Sequence, residues 1–280
     1  MQSAWFTRRV GERVAQIRDI EHFHWRLSES ECPVSFVSNG GGISLAAAME
    51  LASIVTNQKS KPDDGFRSVR VARNAIWGLI KESRWPQRAV RASLRDGDTA
   101  LVVLPSNHDD PAWTQQTRSL LNELGTNGFS TQLSRALTGA VIEMVDNVWL
   151  HSETQHAGLL AYQIRRRKFA FSVLDTGIGM LNSLRKNPKF QYLTSSMDAA
   201  GRAIEPGVSR FDNSGGMGYP SLFHALASLW GTARIRTGEA ALVIDHTGET
   251  RSKERVYLPH LPGVHISVRC ALDPPSHSRS

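Results

Sequence analysis

The sequence Glu143-Met-Val-Asp146-Asn147-Val-Trp-Leu-His151 lies in an apolar run that has the length and periodicity of a helix. Residues four apart are neighbours on a helix face, so Glu143, Asn147 and His151 form one polar column. The other side of this helix is expected to be buried and consists of Leu137, Val141, Met144 and Val148. An amide oxygen suits magnesium, which is usually shared with substrate phosphates, and a carboxylate one turn earlier can orient or deprotonate a water. Taken alone, such a column is also typical of a solvated helix face.

A second motif, Asp175-Thr-Gly177-Ile-Gly179-Met180, directly follows the strand-like run at residues 169–174. Two glycines spaced by one residue allow a tight turn and a close approach of the backbone to a flat ring. An aspartate at the end of the strand can accept a hydrogen bond from an exocyclic amine such as that of adenine. The alternative is an ordinary glycine turn after a strand.

A third motif, Ser214-Gly-Gly216-Met-Gly218-Tyr219, precedes an apolar helical run at residues 222–230. Glycines that lead into a helix leave free backbone amides, together with the positive end of the helix dipole, where phosphates can bind. A flexible loop followed by a helix cap is the alternative. The three motifs occur in a fixed order, and their combination is more specific than any one of them.

From about residue 130 to residue 272 the chain resembles the ATP-binding domain of the GHKL superfamily, which gyrase, the ninety-kilodalton heat-shock chaperone, histidine kinases and mismatch-repair ATPases share. The first motif matches the N box in the Glu-x-x-x-Asn-x-x-x-His form of anti-sigma-factor serine kinases. The second matches the Asp-x-Gly-x-Gly box that holds adenine, and Gly216 and Gly218 match the glycine box at the end of the ATP lid. Tyr219 stands where the family usually has leucine.

This resemblance implies the Bergerat fold, an α/β sandwich that binds ATP and Mg²⁺. By the same resemblance Glu143 is the catalytic base, Asn147 is the magnesium ligand and Asp175 selects adenine. The residues expected to contact the nucleotide are Asn147, His151, Asp175, Gly177, Gly179, Met180, Gly216 and Gly218.

Residues 181–214 mix polar and charged residues with few long apolar runs, which predicts a mobile lid that closes over the phosphates. Its cations are Lys186, Lys189, Arg202 and Arg210. Arg210 lies nearest the glycine box and is therefore the cation expected to contact a terminal phosphate. For each of these cations the alternative is a solvated surface side chain.

The fold class is predicted to be α/β, with a small α/β domain of unknown role at residues 1–127 and the histidine-kinase-like ATP-binding domain at residues 128–280. In the second domain, helices are expected to cover one face of a mixed, mostly antiparallel sheet. The upstream elements expected from pattern and turn signals are strands at 33–37 and 99–104 and helices at 43–56, 66–82 and 111–124, the last with Asp110 as its cap.

The 280 residues contain no run as long as a membrane-spanning helix, and the first residues have no signal-peptide core, so no membrane contact and a cytoplasmic location are expected. Cys32 and Cys270 lack the spacing of a metal site and are expected to be reduced. A net charge of +7 permits an anionic partner, but the only tight basic cluster, residues 165–168, is expected at a hairpin tip. Nucleic acid is therefore a minor alternative.

The sequence thus predicts a Mg-dependent ATP-binding protein, either a slow ATPase or a protein kinase-like regulator, whose nucleotide-dependent lid controls a protein partner. Water or a serine hydroxyl of the partner would attack the γ-phosphate, with Glu143 as the base. One alternative is a non-catalytic nucleotide-sensing or partner-binding module, and another is a DNA-handling ATPase. Hydrolysis by the purified protein and salt-dependent DNA binding distinguish these alternatives.

Overall fold

The computed structural model describes residues 20–21, 44–57, 90–94, 97–105, 107–154, 158–211, 218–227, 229–247 and 250–273. Its strands are β1 (Val90–Leu94), β2 (Gly97–Val103), β3 (Leu159–Arg165), β4 (Lys168–Leu174), β5 (Trp230–Thr247) and β6 (Thr250–Ala271). Its helices are α1 (Leu45–Asn57), α2 (Pro111–Thr126), α3 (Thr131–His151), α4 (Gly179–Leu184), α5 (Ser196–Ala203) and α6 (Gly218–Leu226), with a short 3₁₀ turn at Pro188–Phe190.

One six-stranded sheet has the order β1-β2-β3-β4-β6-β5, and every neighbouring pair in it is antiparallel. The α/β class predicted from the sequence is therefore confirmed. The basic cluster forms the expected turn between β3 and β4, where Arg166 and Arg167 have positive φ angles of 42° and 65°. Strand β6 pairs with β4 from His265 onward, and both of its halves pair with β5 in a long hairpin that is irregular at Gly238.

Helix α2 begins where the sequence predicts, and α2 and α3 each begin at a capping side chain. The Asp110 carboxylate accepts a hydrogen bond from the backbone of Ala112 at 2.8 Å, with Pro111 in the first turn. The hydroxyl of Ser130 accepts from the backbone of Leu133 at 3.3 Å. The predicted apolar side of α3 is confirmed, since Leu137, Val141, Met144 and Val148 are all buried. In the part of the chain that the structure describes, no helix has the length and apolarity needed to cross a bilayer.

Helix α1 packs against the sheet face opposite α3. Helices therefore lie on both faces of the sheet, although the expectation of one covered face concerned only residues 128–280. Side chains alternate along a strand. Val173 and Ile266 therefore face the α3 side, while Ser172 and His265 face α1. Those polar strand residues need partners when buried, and α1 supplies Glu50, which is completely buried.

The boundary predicted at residue 127 does not interrupt the sheet, because β2 lies before it and pairs with β3 after it. The indole of Trp149 also donates to the carbonyl of Pro105 at 2.8 Å across the same boundary. The described residues on both sides thus share one sheet, and a separate domain within residues 1–127 stays a prediction. The strand expected at 33–37, the helix expected at 66–82 and Cys32 lie outside the described residues.

The predicted lid is better anchored in its first part than its composition indicates. Leu193, Met197 and Ile204 are buried, and α5 packs against β5. The hydroxyl of Ser196 also donates to the Glu239 carboxylate at 2.9 Å. The scarcity of long apolar runs therefore did not indicate how well this part of the segment is anchored, because isolated apolar residues are buried without forming a continuous run.

Candidate nucleotide site

A cavity of about 470 Å³ lies between α3, the strands β4 and β6, the start of α4 and the chain that follows α5. This volume is typical of small-molecule sites. The sheet contributes apolar side chains, namely Val173, Val264 and Ile266. The polar lining residues come from helices and loops, so hydrogen-bonding groups face the apolar side chains of the sheet across the cavity.

The polar column of α3 faces this cavity, because Glu143, Asn147 and His151 all line it. The Nδ2 atom of Asn147 is buried and has no hydrogen-bond partner among the described residues. A buried donor without an acceptor is costly. A bound ligand with oxygen acceptors would supply the hydrogen bond that the Asn147 amide lacks.

The pKa values of the two ionisable groups of the column are shifted in opposite directions. Burial and the neighbouring carboxylate of Asp146 raise the pKa of Glu143. Burial, together with the positive charge of Arg210, lowers the pKa of His151 to about 4. His151 is therefore neutral at physiological pH. Its ring centre lies 5.7 Å from that of Phe211, and its Nδ1 lies 3.4 Å from the hydroxyl of Ser183.

Asp175 lies directly after β4 and is the buried carboxylate of the cavity. Its Oδ1 accepts a hydrogen bond from the backbone of Gly177 at 2.8 Å. Burial raises the pKa of Asp175 to about 6, although hydrogen bonds from the backbone of Gly177 and Val264 oppose that shift. Tyr219, at the start of α6, is buried in the same cavity, and burial and the charge of Asp175 raise the pKa of its phenol.

Glycines of the second motif, and Gly263 of the neighbouring strand β6, are required by contacts within the protein. A β-carbon on Gly177 would lie 2.1 Å from the carbonyl oxygen of Ser152, and a β-carbon on Gly263 would lie 2.1 Å from the carbonyl oxygen of Asp175. Gly179 has a φ of +74°, a conformation that side chains rarely adopt. The backbone of Met180 then donates to the hydroxyl of Thr237 at 3.1 Å, which attaches the start of α4 to β5.

Of the four predicted lid cations, all within the described residues, Arg210 is the one that lines the cavity. Its Nη1 donates to Glu153 at 2.6 Å, and its guanidinium carbon lies 4.7 Å from the centre of the Phe211 ring. Lys186 also pairs with Glu153. Arg202 instead pairs with Glu205 at 2.6 Å.

The structure brings most of the predicted site residues together. Those that line the cavity are Glu143, Asn147, His151, Asp175, Gly179, Met180 and Arg210. Two further predicted residues are described but do not line the cavity. Gly177 lies against the backbone of Ser152, and Gly218 begins α6 next to Tyr219, which lines the cavity. Gly216 lies outside the described residues.

Sequence reasoning missed the contributions of Ser183, Phe211 and Glu153, which no motif contains. It noted Tyr219 only as a departure from the family pattern. Tyr219 directly follows Gly218 of the glycine box, and this position in the sequence could have indicated that its side chain lines the cavity.

A metal ion here would depend on the ligand for most of its coordination. No group of three or more His, Cys, Asp or Glu side chains that could hold a metal is found in the described ranges. Asn147 offers one amide oxygen. This fits magnesium, which is commonly bound by few protein groups together with phosphates and water.

The fold and the cavity define an α/β protein with a cavity of the size typical of small-molecule sites. No protein-family model matches this chain, and no curated protein sequence is significantly similar to it. The chemistry of the lining residues is therefore the basis for assigning a ligand.

Proposed function

We propose that this protein binds ATP with magnesium in the cavity, in the manner of the GHKL proteins with the Bergerat fold. Slow hydrolysis, or phosphoryl transfer to a hydroxyl of a protein partner, would follow. Nucleotide occupancy would set the conformation of the lid segment, and the partner would respond to that conformation.

The observation that carries this proposal is the convergence of two distant motifs and a lid cation on one cavity. Asn147 comes from α3, Asp175 from the end of β4 and Arg210 from the chain after α5. Their chemistry suits the three parts of a nucleotide: a carboxylate for an exocyclic amine, an amide for a hydrated cation and a guanidinium for a phosphate.

Asp175 would select the base. Its ionised carboxylate is an acceptor only, and adenine offers an exocyclic amine where guanine offers a carbonyl. Met180 and Ile266 line the same cavity and can pack against a planar ring. A buried polar group that lacks its partner is the strongest source of discrimination available to such a site.

Asn147 would hold magnesium and the phosphates next to it. Its unpartnered buried Nδ2 fits a phosphate oxygen, and its Oδ1 fits the cation, so the residues present agree with a magnesium nucleotide. Bound magnesium would neutralise part of the phosphate charge. Arg210, which carries a second unpartnered buried nitrogen, Nε, would act on the same phosphates.

Glu143 would act as the general base. A base is most effective when its pKa lies near the working pH, and burial moves the pKa of Glu143 in that direction. It lies one helical turn from Asn147 on the same face of α3, so a water or a partner's hydroxyl near the phosphates would be within its reach.

Calorimetric titration with ATP, in the presence and absence of magnesium, tests the proposal. The wild-type protein should bind ATP more tightly with magnesium, and Asn147→Ala should lose that difference. Gln132→Ala removes an exposed amide from the same helix and is the matched control. Failure of the wild type to bind ATP under either condition would refute the function. Binding without release of phosphate would favour the non-catalytic nucleotide sensor.

A further inference from the structure

The carboxylate of Glu153 joins two cations of the lid segment to the end of α3. Its Oε1 accepts from Arg210 Nη1 at 2.6 Å, and both of its oxygens contact the Nζ of Lys186. These hydrogen bonds, that of Lys186 first, hold the pKa of Glu153 below its usual value. A single carboxylate therefore pairs with two lid cations, of which Arg210 lines the cavity.

The backbone holds Glu153 in this place. Its φ of 56° is in the left-handed region, which a residue with a β-carbon seldom occupies. The preceding residue, Ser152, is fixed because its carbonyl accepts from the backbone of Ile178 at 3.0 Å and lies directly against Gly177. The loop that carries Asp175 thus determines where the Glu153 carboxylate projects.

Arg210 is only partly satisfied by this contact. Its Nη1 has an acceptor, but its buried Nε has none in the described part of the chain. The side chain lines the cavity and is 15% exposed. It is also held over the ring of Phe211. The guanidinium is therefore oriented at the cavity wall with donor capacity left for an anionic ligand.

We propose that Glu153 acts as an internal competitor for phosphate and so weakens the binding of charged ligands relative to uncharged ones. In the ligand-free protein it occupies the Nη1 of Arg210 and the ammonium of Lys186. The cost of displacing it from these groups falls on ligands whose phosphates reach them, on a triphosphate more than on a diphosphate, and not on an uncharged nucleoside.

This inference rests on the proposed nucleotide site and adds a residue outside its three motifs. It gives a role to a carboxylate that pairs with two lid cations, one of which lines the cavity. The energetic effect should be modest, because the carboxylate is exposed and exposed ion pairs are weak. Glu153 should therefore lower the affinity for charged ligands and leave the affinity for an uncharged nucleoside unchanged.

The test compares the affinities of adenosine, ADP and a slowly hydrolysed ATP analogue for the wild type and for Glu153→Gln, measured by calorimetry with magnesium. Removal of the competing charge should tighten binding of the ATP analogue by about two- to fivefold. ADP should gain less, and adenosine should not gain. Glu205→Gln, which removes a carboxylate from another ion pair of the lid segment, outside the cavity, is the matched control and should change none of the three.

The outcomes separate this inference from the function on which it rests. Equal changes for adenosine and the ATP analogue in Glu153→Gln would overturn the competitor while leaving nucleotide binding intact. Absence of binding in the wild type and in both variants would overturn both. Binding of the ATP analogue by Glu153→Gln alone would support the competitor, since it would mean that Glu153 suppresses binding in the wild type.

Discussion

Gly177 lies against Ser152 so closely that a β-carbon on Gly177 would be 2.1 Å from the carbonyl oxygen of Ser152. The next residue, Ile178, donates its backbone N–H to the same oxygen at 3.0 Å. This contact joins the end of α3, which carries Asn147, to the loop that carries Asp175. The spacing between the two residues proposed to bind the cation and the base therefore depends on one glycine.

The substitution Gly177→Ala should move the loop away from α3. Forcing an extra carbon against backbone atoms costs about 1–3 kcal/mol of unfolding free energy, and it should also weaken nucleotide binding because Asp175 shifts relative to Asn147. Chemical denaturation and calorimetry measure the two effects. Gly139→Ala is the matched control, since its β-carbon would meet no atom within 4 Å, and it should stabilise α3 by up to about 1 kcal/mol. Full ATP affinity in a destabilised Gly177→Ala protein would contradict the coupling.

Local patterns in the sequence predicted those parts of the fold that depend on helical periodicity and helix capping. The buried side of α3 follows from helical periodicity, and the start of α2 follows from Asp110 and Pro111. The position of α1 could not be predicted in this way. It depends on Glu50 meeting Arg234, a partner 184 residues away, and no local pattern records such a pairing.

In the candidate site, too, the features set by local geometry could be predicted from the sequence and the long-range contacts could not. The spacing of Glu143, Asn147 and His151 places them on one helix face, and that prediction requires only helical geometry. The contact between Arg210 and Glu153 spans 57 residues and depends on the left-handed backbone of Glu153. A sequence pattern contains neither feature, so the structure was needed to find this residue.

Asp175 should lower the stability of the free protein. Its folded pKa of about 6 lies above the ordinary value of 3.8 for an aspartate. A raised pKa means that stability is highest below the unfolded value and falls as pH rises towards 6. At about pH 7.5, Asp175→Asn should therefore raise the free energy of unfolding by up to about 3 kcal/mol, while weakening ATP binding and its preference over GTP.

Urea denaturation at acidic and at neutral pH, with calorimetry of both nucleotides, measures these effects of Asp175→Asn. Asp109→Asn changes an exposed carboxylate, 84% accessible, and serves as the control. It should leave both stability and affinity unchanged. A stabilised Asp175→Asn protein that binds ATP as tightly as the wild type would contradict the proposed role in base selection.

Glu143 and Asn147 should differ in their effects on binding and turnover. Glu143→Gln retains the shape of the side chain, so ATP should still bind, but turnover should be lost because the base acts on the transition state. Asn147→Ala should weaken magnesium-dependent binding. Its effect on stability should be small, because the buried Nδ2 has no partner to lose among the described residues. Calorimetry, phosphate release and denaturation measure these quantities, and equal loss of ATP affinity in both variants would contradict the division of roles.

Helix α1 is attached to the sheet by a buried network of charges. Glu50 pairs with Arg234, which also donates to Glu21 at 2.6 Å. The Nδ1 of His265 lies 3.7 Å from Glu50, and its Nε2 lies 2.6 Å from the hydroxyl of Ser172. Although burial alone would raise it, the pKa of Glu50 is held well below its usual range by Arg234 and the other partners.

Removal of the Glu50 charge should strongly destabilise the protein, because Arg234 would remain buried with one of its two carboxylate partners missing. Losing one member of a buried ion pair costs about 3–5 kcal/mol. Glu50→Gln should therefore lower the free energy of unfolding by an amount in this range at neutral pH. A lowered folded pKa means that the wild-type contribution is present above the unfolded value of 4.5 and is lost as pH falls further, so the difference between the two proteins should shrink in acid. Urea denaturation across pH measures this difference. Glu205→Gln, in an exposed pair, should cost less than about 1 kcal/mol, and an equally small cost for Glu50→Gln would show that the buried network does not hold α1.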